Sequence, residues 1–355
     1  MSDLKITLIC SLPDPASVNI ANNLLKLANW EKKSPPNNEN MIEALEKFPL
    51  ITESERAEPS RKNKDETPSI IYPFENEPSF ITDVYEYGPF RLIYINGRHI
   101  FQDRIDKRLE FLNMPASRIV FLSKHSSKSG EKSLTVHTTG NPGDAILGGF
   151  PKELAKSDPE FLSFILNQIY DKNEKYGLGF DVTLEVTHHG PTEIEIPSMF
   201  TEIGSKEAEW SNDKAGKIIA ESILAIEKYY DENTNDFNEL NQFNELNQFN
   251  ELNDLSVSDE MISLKNIPIA VGFGGGHYAQ RQTKHLLSKK LLFGHIFPKH
   301  AIGNVDETLL LKSFEKSNAK VAYFDKKSIS GPDRRRLTEI LERNEIKIIT
   351  DTDLK

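Results

Sequence analysis

Short apolar runs alternate with amphipathic stretches along almost the whole chain, and few folds accommodate that rhythm. Strand-like segments fall at 5–10, 92–96, 118–123, 134–138, 181–187, 199–203, 267–273, 291–296, 320–324 and 346–350. Helical spacing predicts helices at 17–29, 101–112, 158–172, 213–230, 278–288, 306–317 and 332–344. The pattern is clearest at 213–230, where Ala215, Ile218, Ile219, Ser222, Ile223 and Ile226 line one face. This order predicts an α/β fold: a single elaborated domain over residues 1–355, with a mostly parallel central sheet and helices on both faces. With 355 residues and 37% hydrophobic content, the chain can bury a substantial core.

Two stretches break the rhythm and read as insertions. Residues 32–80 are rich in Pro, Asn, Lys and Glu, and are expected to be a partly mobile insertion. Residues 229–260 are acidic and of low complexity: Phe-Asn-Glu-Leu-Asn-Gln begins at Phe237, repeats at Phe243 and recurs at Phe249 with Asp254 in last place. Three hexads are too few for a solenoid. This second stretch holds nine carboxylates and no Lys or Arg, so removing it from a net charge of −11 leaves the remainder near −2. The overall acidity therefore does not argue against a polyanionic partner. The reverse bias occurs at 281–300, where Arg281, Lys284, Lys289, Lys290 and Lys299 appear with no carboxylate among them.

No apolar run approaches a membrane span, and the N-terminal residues lead into a strand rather than a signal peptide, so a cytoplasmic protein is expected. The single cysteine, Cys10, closes an apolar strand, where burial is its expected role. A disulfide framework and a multi-cysteine zinc cluster are excluded, and any metal would have to be held by His, Asp and Glu.

The densest chemistry lies at strand ends. Thr187, His188, His189, Gly190, Pro191 and Thr192 follow the apolar run of Val182, Leu184 and Val186, and Gly272, Phe273, Gly274, Gly275, Gly276, His277 and Tyr278 follow a second apolar run. Ligands of α/β sheets bind at such ends, and glycines let backbone amides approach them. His125, His137 and His295 also lie in or beside strands, whereas His99, His285 and His300 read as surface or helix-face residues. Taken singly, each strand-end histidine fits a hydrogen-bonded structural residue. If the strands are parallel neighbours, however, their ends meet at one edge and the imidazoles become a cluster. Glu185, Glu193 and Glu195 accompany them. Such a set can hold Zn²⁺ with an open position and make water nucleophilic near neutral pH, which suits hydrolysis.

Competing motifs fail on their own terms. Gly274, Gly276 and Ala279 match a dinucleotide fingerprint, but residues 280–303 contain no carboxylate to meet a ribose. No Walker lysine follows the glycines and no G-x-S-x-G elbow exists.

At this depth a family resemblance appears. Glu185-x-Thr187-His188-His189-Gly190-Pro191-Thr192-Glu193, Phe200-x-Glu202-Ile203-Gly204-Ser205, Trp210-x-Asn212-Asp213-x-Ala215-Gly216, Gly274-Gly275-Gly276-His277-Tyr278-Ala279-x-Arg281-Gln282-Thr283 and Phe293-Gly294-His295-Ile296-x-Pro298-Lys299 closely resemble the archaeal and plant type of D-aminoacyl-tRNA deacylase. Lys124-His125-Ser126-Ser127 and His137-x-Thr139-Gly140-Asn141 match in the same order. Departures are Gln280 where proline is common, Pro142 after Asn141, and the two insertions. The resemblance implies a zinc-dependent cytoplasmic hydrolase of the ester joining a D-amino acid to tRNA. It also implies a single α/β domain like those of peptidyl-tRNA hydrolase and nucleoside phosphorylases.

Motifs and resemblance together set the expectations. His188, His277 and Glu193 are expected to be catalytic, with Glu193 holding the substrate's α-amine. His125, His137, His188, His189, His277, His295 and Glu185 are expected to surround one or two Zn²⁺. Gly274, Gly275 and Gly276 should cradle the ester oxygen or terminal ribose-phosphate, with Arg281, Lys284, Lys289 and Lys290 on the acceptor stem. The expected partner is the acceptor end of D-aminoacyl-tRNA, with no membrane and a monomeric chain. The alternatives are a non-catalytic tRNA- or nucleotide-binding protein and a related peptidyl-tRNA-type hydrolase.

Overall fold

The computed structural model describes residues 5–51, 79–127, 130–227 and 263–354. The hexad repeat at 229–260 and the 52–78 part of the first insertion lie outside the described residues. Twelve strands are present: β1 (Lys5–Ser11), β2 (Glu31–Lys33), β3 (Ile81–Tyr87), β4 (Phe90–Ile95), β5 (Ala116–Lys124), β6 (Ser133–His137), β7 (Asp181–Leu184), β8 (Ser198–Gly204), β9 (Ile269–Phe273), β10 (Leu292–Phe297), β11 (Val321–Phe324) and β12 (Lys347–Thr350).

The α/β expectation holds, with one change of architecture: there are two sheets where one was expected. Eight strands run in the order β2-β3-β4-β1-β5-β8-β6-β7, and four more in the order β10-β9-β11-β12. The small sheet is parallel throughout. The large sheet is parallel at β4-β1-β5-β8 and at β6-β7. It turns antiparallel at β2-β3-β4 and again between β8 and β6.

Alternation along the strands explains why both faces of the large sheet need cover. On β1, Leu8 and Cys10 point to one face and join Ile20 and Leu24 of the helix Pro15–Leu27. Ile9 points to the other, where it meets Phe121, Ile105 and Leu109. Cys10 is buried as expected, and desolvation pushes its thiol up to about 12. The small sheet is also covered twice. Phe273, Phe297 and Phe324 pack against Leu310, Phe314, Leu337 and Leu341, while Ala270, Phe293 and Tyr323 face the core of the large sheet. The helix Pro159–Tyr176 bridges the two, packing on β6, β7 and β10.

The first insertion is more structured than its composition suggested. β2 pairs with β3, and Asn38–Lys47 forms a helix that buries Met41 and Ala44. Two apolar contacts in a polar, charged stretch give no readable periodicity, and the residues of β2 (Glu31, Lys32, Lys33) are those of a short protective edge strand.

Candidate metal centre

The two sheets are stitched together by the last residue of β7 and those that follow it. Ala279 N–H donates to the Leu184 carbonyl (2.9 Å), Val186 N–H to the His277 carbonyl (3.1 Å) and Thr187 N–H to the Ile296 carbonyl (2.8 Å). His188 and His189 emerge from this seam beside His277, which follows β9 through the glycine turn. His125 follows β5 and His137 ends β6. The imidazoles therefore do converge, though not as the ends of parallel neighbours. β6 runs against β8, so His137 comes opposite Phe200, two residues from Glu202 on the same face.

Five histidines and two carboxylates share this space. Ring centroids lie 4.4 Å apart for His188 and His189, 4.5 Å for His188 and His277, 4.8 Å for His137 with either His188 or His189, and 5.0 Å for His125 and His277. Glu185 is fully buried among them: Oε2 is 2.8 Å from His277 Nε2 and 3.6 Å from His188 Nε2, and Oε1 is 3.1 Å from His125 Nδ1. Glu202 Oε2 lies 3.5 Å from His125 Nδ1 and 3.9 Å from His137 Nε2. His277 is the opening of the cluster, with 41% of its side chain exposed.

The donor set fits a cation. His188, His189 and His137 each place Nδ1 on a backbone carbonyl, of Val186 (2.6 Å), Gly190 (2.7 Å) and Thr138 (3.3 Å). A carbonyl only accepts, so Nδ1 carries the hydrogen and Nε2 is left as a lone pair facing the cluster. Both oxygens of Glu185 and the Nε2 atoms of His125 and His137 are buried without an aligned hydrogen bond. Native proteins rarely leave such atoms without a partner. Two three-residue sets with no member in common bring donor atoms within 4.8 Å of one another: His137, His188 and His189, and His125, Glu185 and His277.

Protonation follows the neighbours. For His125, burial favours the neutral ring, but the contacts with Glu185 and Glu202 outweigh it and lift the group to about 10. Burial raises the Glu202 carboxyl, as does the charge of Glu185, yet His125 and His137 hold it down at about 2. Glu185 is likewise pushed up by burial but held well below the carboxylate range by His125 and His277. His188 is pushed well below the imidazole range and His189 to about 4, in each case by burial and then by the neighbouring rings.

The surrounding residues fix these donors in place. Asp14 Oδ2 accepts from Lys124 N–H (3.0 Å), and Trp210 Nε1–H donates to the His125 carbonyl (2.8 Å). Asp103 Oδ1 accepts the N–H groups of Thr192 (2.7 Å) and Glu193 (2.9 Å), anchoring the chain just after His188, His189 and the Gly190-Pro191 turn. Replacing Asp103 by Ala strands both amides and removes a counter-charge of the buried Arg108. The expected loss is about 2 kcal/mol of stability, read as a lower denaturant midpoint, and an unchanged midpoint would show that the turn holds itself.

Several expected site residues lie elsewhere or are already engaged. His295 does not join the cluster: its Nδ1 meets Thr187 Oγ1 (3.1 Å) and its Nε2 the Ala155 carbonyl (3.0 Å), so the ring is a fully buried part of the seam. Glu193 is held by the Arg104 guanidinium. The amides of Gly274 and Gly275 are taken by the Phe297 carbonyl (2.9 Å) and Ser328 Oγ (2.7 Å), which leaves Gly276 as the exposed residue of the turn. Arg281 is paired with Asp325 and Asp351. Lys284 is exposed on the helix Gln280–Leu287. His99 and His285 are buried rather than on the surface, bonded to the Ile9 carbonyl and to Asp351. The residue missed was Glu202. A charged side chain inside the apolar run Met199-Phe200-Thr201-Glu202-Ile203 needs a buried partner, and that signal was available in the sequence.

Fold and site together define an α/β protein with a histidine-rich, metal-competent centre at the seam of two sheets. Residues 112–349 match the family described as D-aminoacyl-tRNA deacylase. A D-aminoacyl-tRNA deacylase of Methanosarcina mazei is 40% identical over 100% of this chain and 95% of its own length. One from Pyrococcus horikoshii is 34% identical over 79% of this chain and 89% of its own. The crystal structure of a conserved protein of unknown function superposes with a TM-score of 0.72 at 28% identity, covering 100% of this chain and 98% of that one. A purine nucleoside phosphorylase from Toxoplasma gondii also matches, covering 64% of this chain and 94% of its own, at a TM-score of 0.35 and 12% identity. This chain belongs to the D-aminoacyl-tRNA deacylase family.

Proposed function

We propose that the protein hydrolyses the ester joining a D-amino acid to tRNA, releasing free tRNA and the D-amino acid, at a centre that holds one or two Zn²⁺. The observation that carries this reading is the convergence of His125, His137, His188, His189 and His277 on Glu185 and Glu202, with unpartnered donor atoms facing inward. Zinc, when bound, supplies Lewis acidity and makes water nucleophilic near neutral pH. The chain's own residues do the rest. Glu185 and Glu202 orient the rings, and the carbonyls behind His137, His188 and His189 fix their tautomers. Where the ion sits on His137, His188 and His189, His277 keeps its own lone pair and, as the ring open to solvent, takes a proton from water and returns it to the leaving ribose oxygen. The Gly276 amide, next to it in the chain and exposed, donates to the tetrahedral oxyanion in this reading.

Among the described residues no helix is long and apolar enough to cross a membrane. The reading places a single-domain monomer in the cytoplasm, where aminoacyl-tRNA is made. Incubation with D-Tyr-tRNA and L-Tyr-tRNA, with and without chelator, tests it. Selective release of the D-form, lost on chelation and restored by zinc, is expected. Equal release of both forms, or D-release that survives zinc removal, contradicts it.

A further inference from the structure

We infer that the RNA backbone docks on a rim formed by Lys299, Lys327, Arg334 and Arg335, and not on the basic run of the helix Gln280–Leu287; the inference rests on the deacylase reading. Arg281, the first cation of that run and the nearest in sequence to the glycine turn, is spent on Asp325 and Asp351. The glycine turn is instead gripped by two other segments. Gly275 N–H donates to Ser328 Oγ (2.7 Å), and its carbonyl accepts from Lys299 N–H (3.1 Å). Gly275 is two residues from His277, so both segments border the open side of the cluster. Lys327 precedes Ser328, and Ser330 caps the helix Gly331–Arg343, whose first turns carry Arg334 and Arg335.

Lys299, Lys327 and Arg335 are exposed and Arg334 half-buried, and none of the four pairs with a carboxylate among the described residues. The two acids nearest the start of the helix Gly331–Arg343 are already engaged: Asp325 by Arg281 and the Lys327 amide, Asp333 by Ser330 and Arg336. A helix N-terminus disfavours cations. Arg336 has a structural use there, donating to the Val305 and Ile302 carbonyls, but Arg334 and Arg335 have none. Positive charge without an ion-pair partner, carried on the two segments that hold the glycine turn and on the helix that follows one of them, matches a phosphate backbone.

The test compares D-Tyr-tRNA with D-tyrosyl-adenosine, which carries the same ester and no phosphate. For Lys299→Glu/Lys327→Glu/Arg334→Glu/Arg335→Glu, KM for D-Tyr-tRNA should rise at least about tenfold at low salt and lose most of its salt dependence. Turnover at saturation and cleavage of D-tyrosyl-adenosine should stay within about twofold, by the same reasoning. Substituting Gln at the four positions should give a smaller shift in the same direction. An unchanged KM and salt slope overturn the inference, as does an equal loss on both substrates. If the wild type cleaves neither substrate, the deacylase reading fails. Mobility shifts with uncharged tRNA then decide the surface separately: weaker binding by the variants supports it, and equal binding or none by the wild type overturns it.

Discussion

Replacing Glu185 by Gln should lower kcat/KM for D-aminoacyl-tRNA by at least about 100-fold and lower the metal content of the purified protein. The carboxylate is fully buried and meets three rings, at 2.8, 3.1 and 3.6 Å. Glutamine keeps the shape but turns one oxygen into an amide nitrogen, a donor aimed at ring nitrogens whose lone pairs are needed elsewhere. Without metal, the same change removes the main counter-charge of the buried His125. Breaking a buried pair in this way costs about 3 kcal/mol, so Tm of the metal-free variant should drop clearly. Steady-state kinetics, elemental analysis and thermal unfolding read the three effects separately. Wild-type kcat/KM with full metal content in the variant would remove Glu185 from the mechanism.

Zinc affinity should climb by about tenfold per pH unit between pH 6 and 9, with about one proton released per ion bound. In the metal-free protein His125 is lifted from the ordinary 6.5 to about 10 by Glu185 and Glu202. A raised pKa stabilises the fold fully below 6.5, and that contribution is lost as pH rises through 10. Glu202 has the opposite sign. Held at about 2 against an ordinary 4.5, it contributes fully above 4.5 and loses that contribution as pH falls toward 2. The metal-free protein therefore carries a protonated His125 at neutral pH, and a cation has to displace that proton. Calorimetry in buffers of different ionisation enthalpy counts it. Flat affinity with no proton release would mean that His125 stays outside the coordination set.

The sequence carried the periodic part of the fold and little of its geometry. Ten of the strands were legible because buried runs such as Ile119 to Leu122 are continuously apolar, whereas β2 is charged and β3 adjoins the polar insertion. The way the two sheets join was not legible, because it depends on hydrogen bonds between residues 184–187 and partners far along the chain. The histidine cluster could be anticipated from strand-end positions. Its five rings and Glu185 were among the expected residues, but Glu202 was not, because His137 reaches it only through the antiparallel register of β6 on β8. His295 looked the same as its neighbours in sequence, and two side-on hydrogen bonds make it structural. Arg281 shows the same limit: a cation reads as free until its carboxylate partners, Asp325 and Asp351, fold onto it.

Crystals of the zinc-loaded protein, measured at the zinc absorption edge, show whether the histidine cluster holds the metal. Anomalous peaks are expected among the Nε2 atoms of His137, His188 and His189, beside Glu185 and His277, or both. An active enzyme whose map shows no metal among these side chains would contradict it.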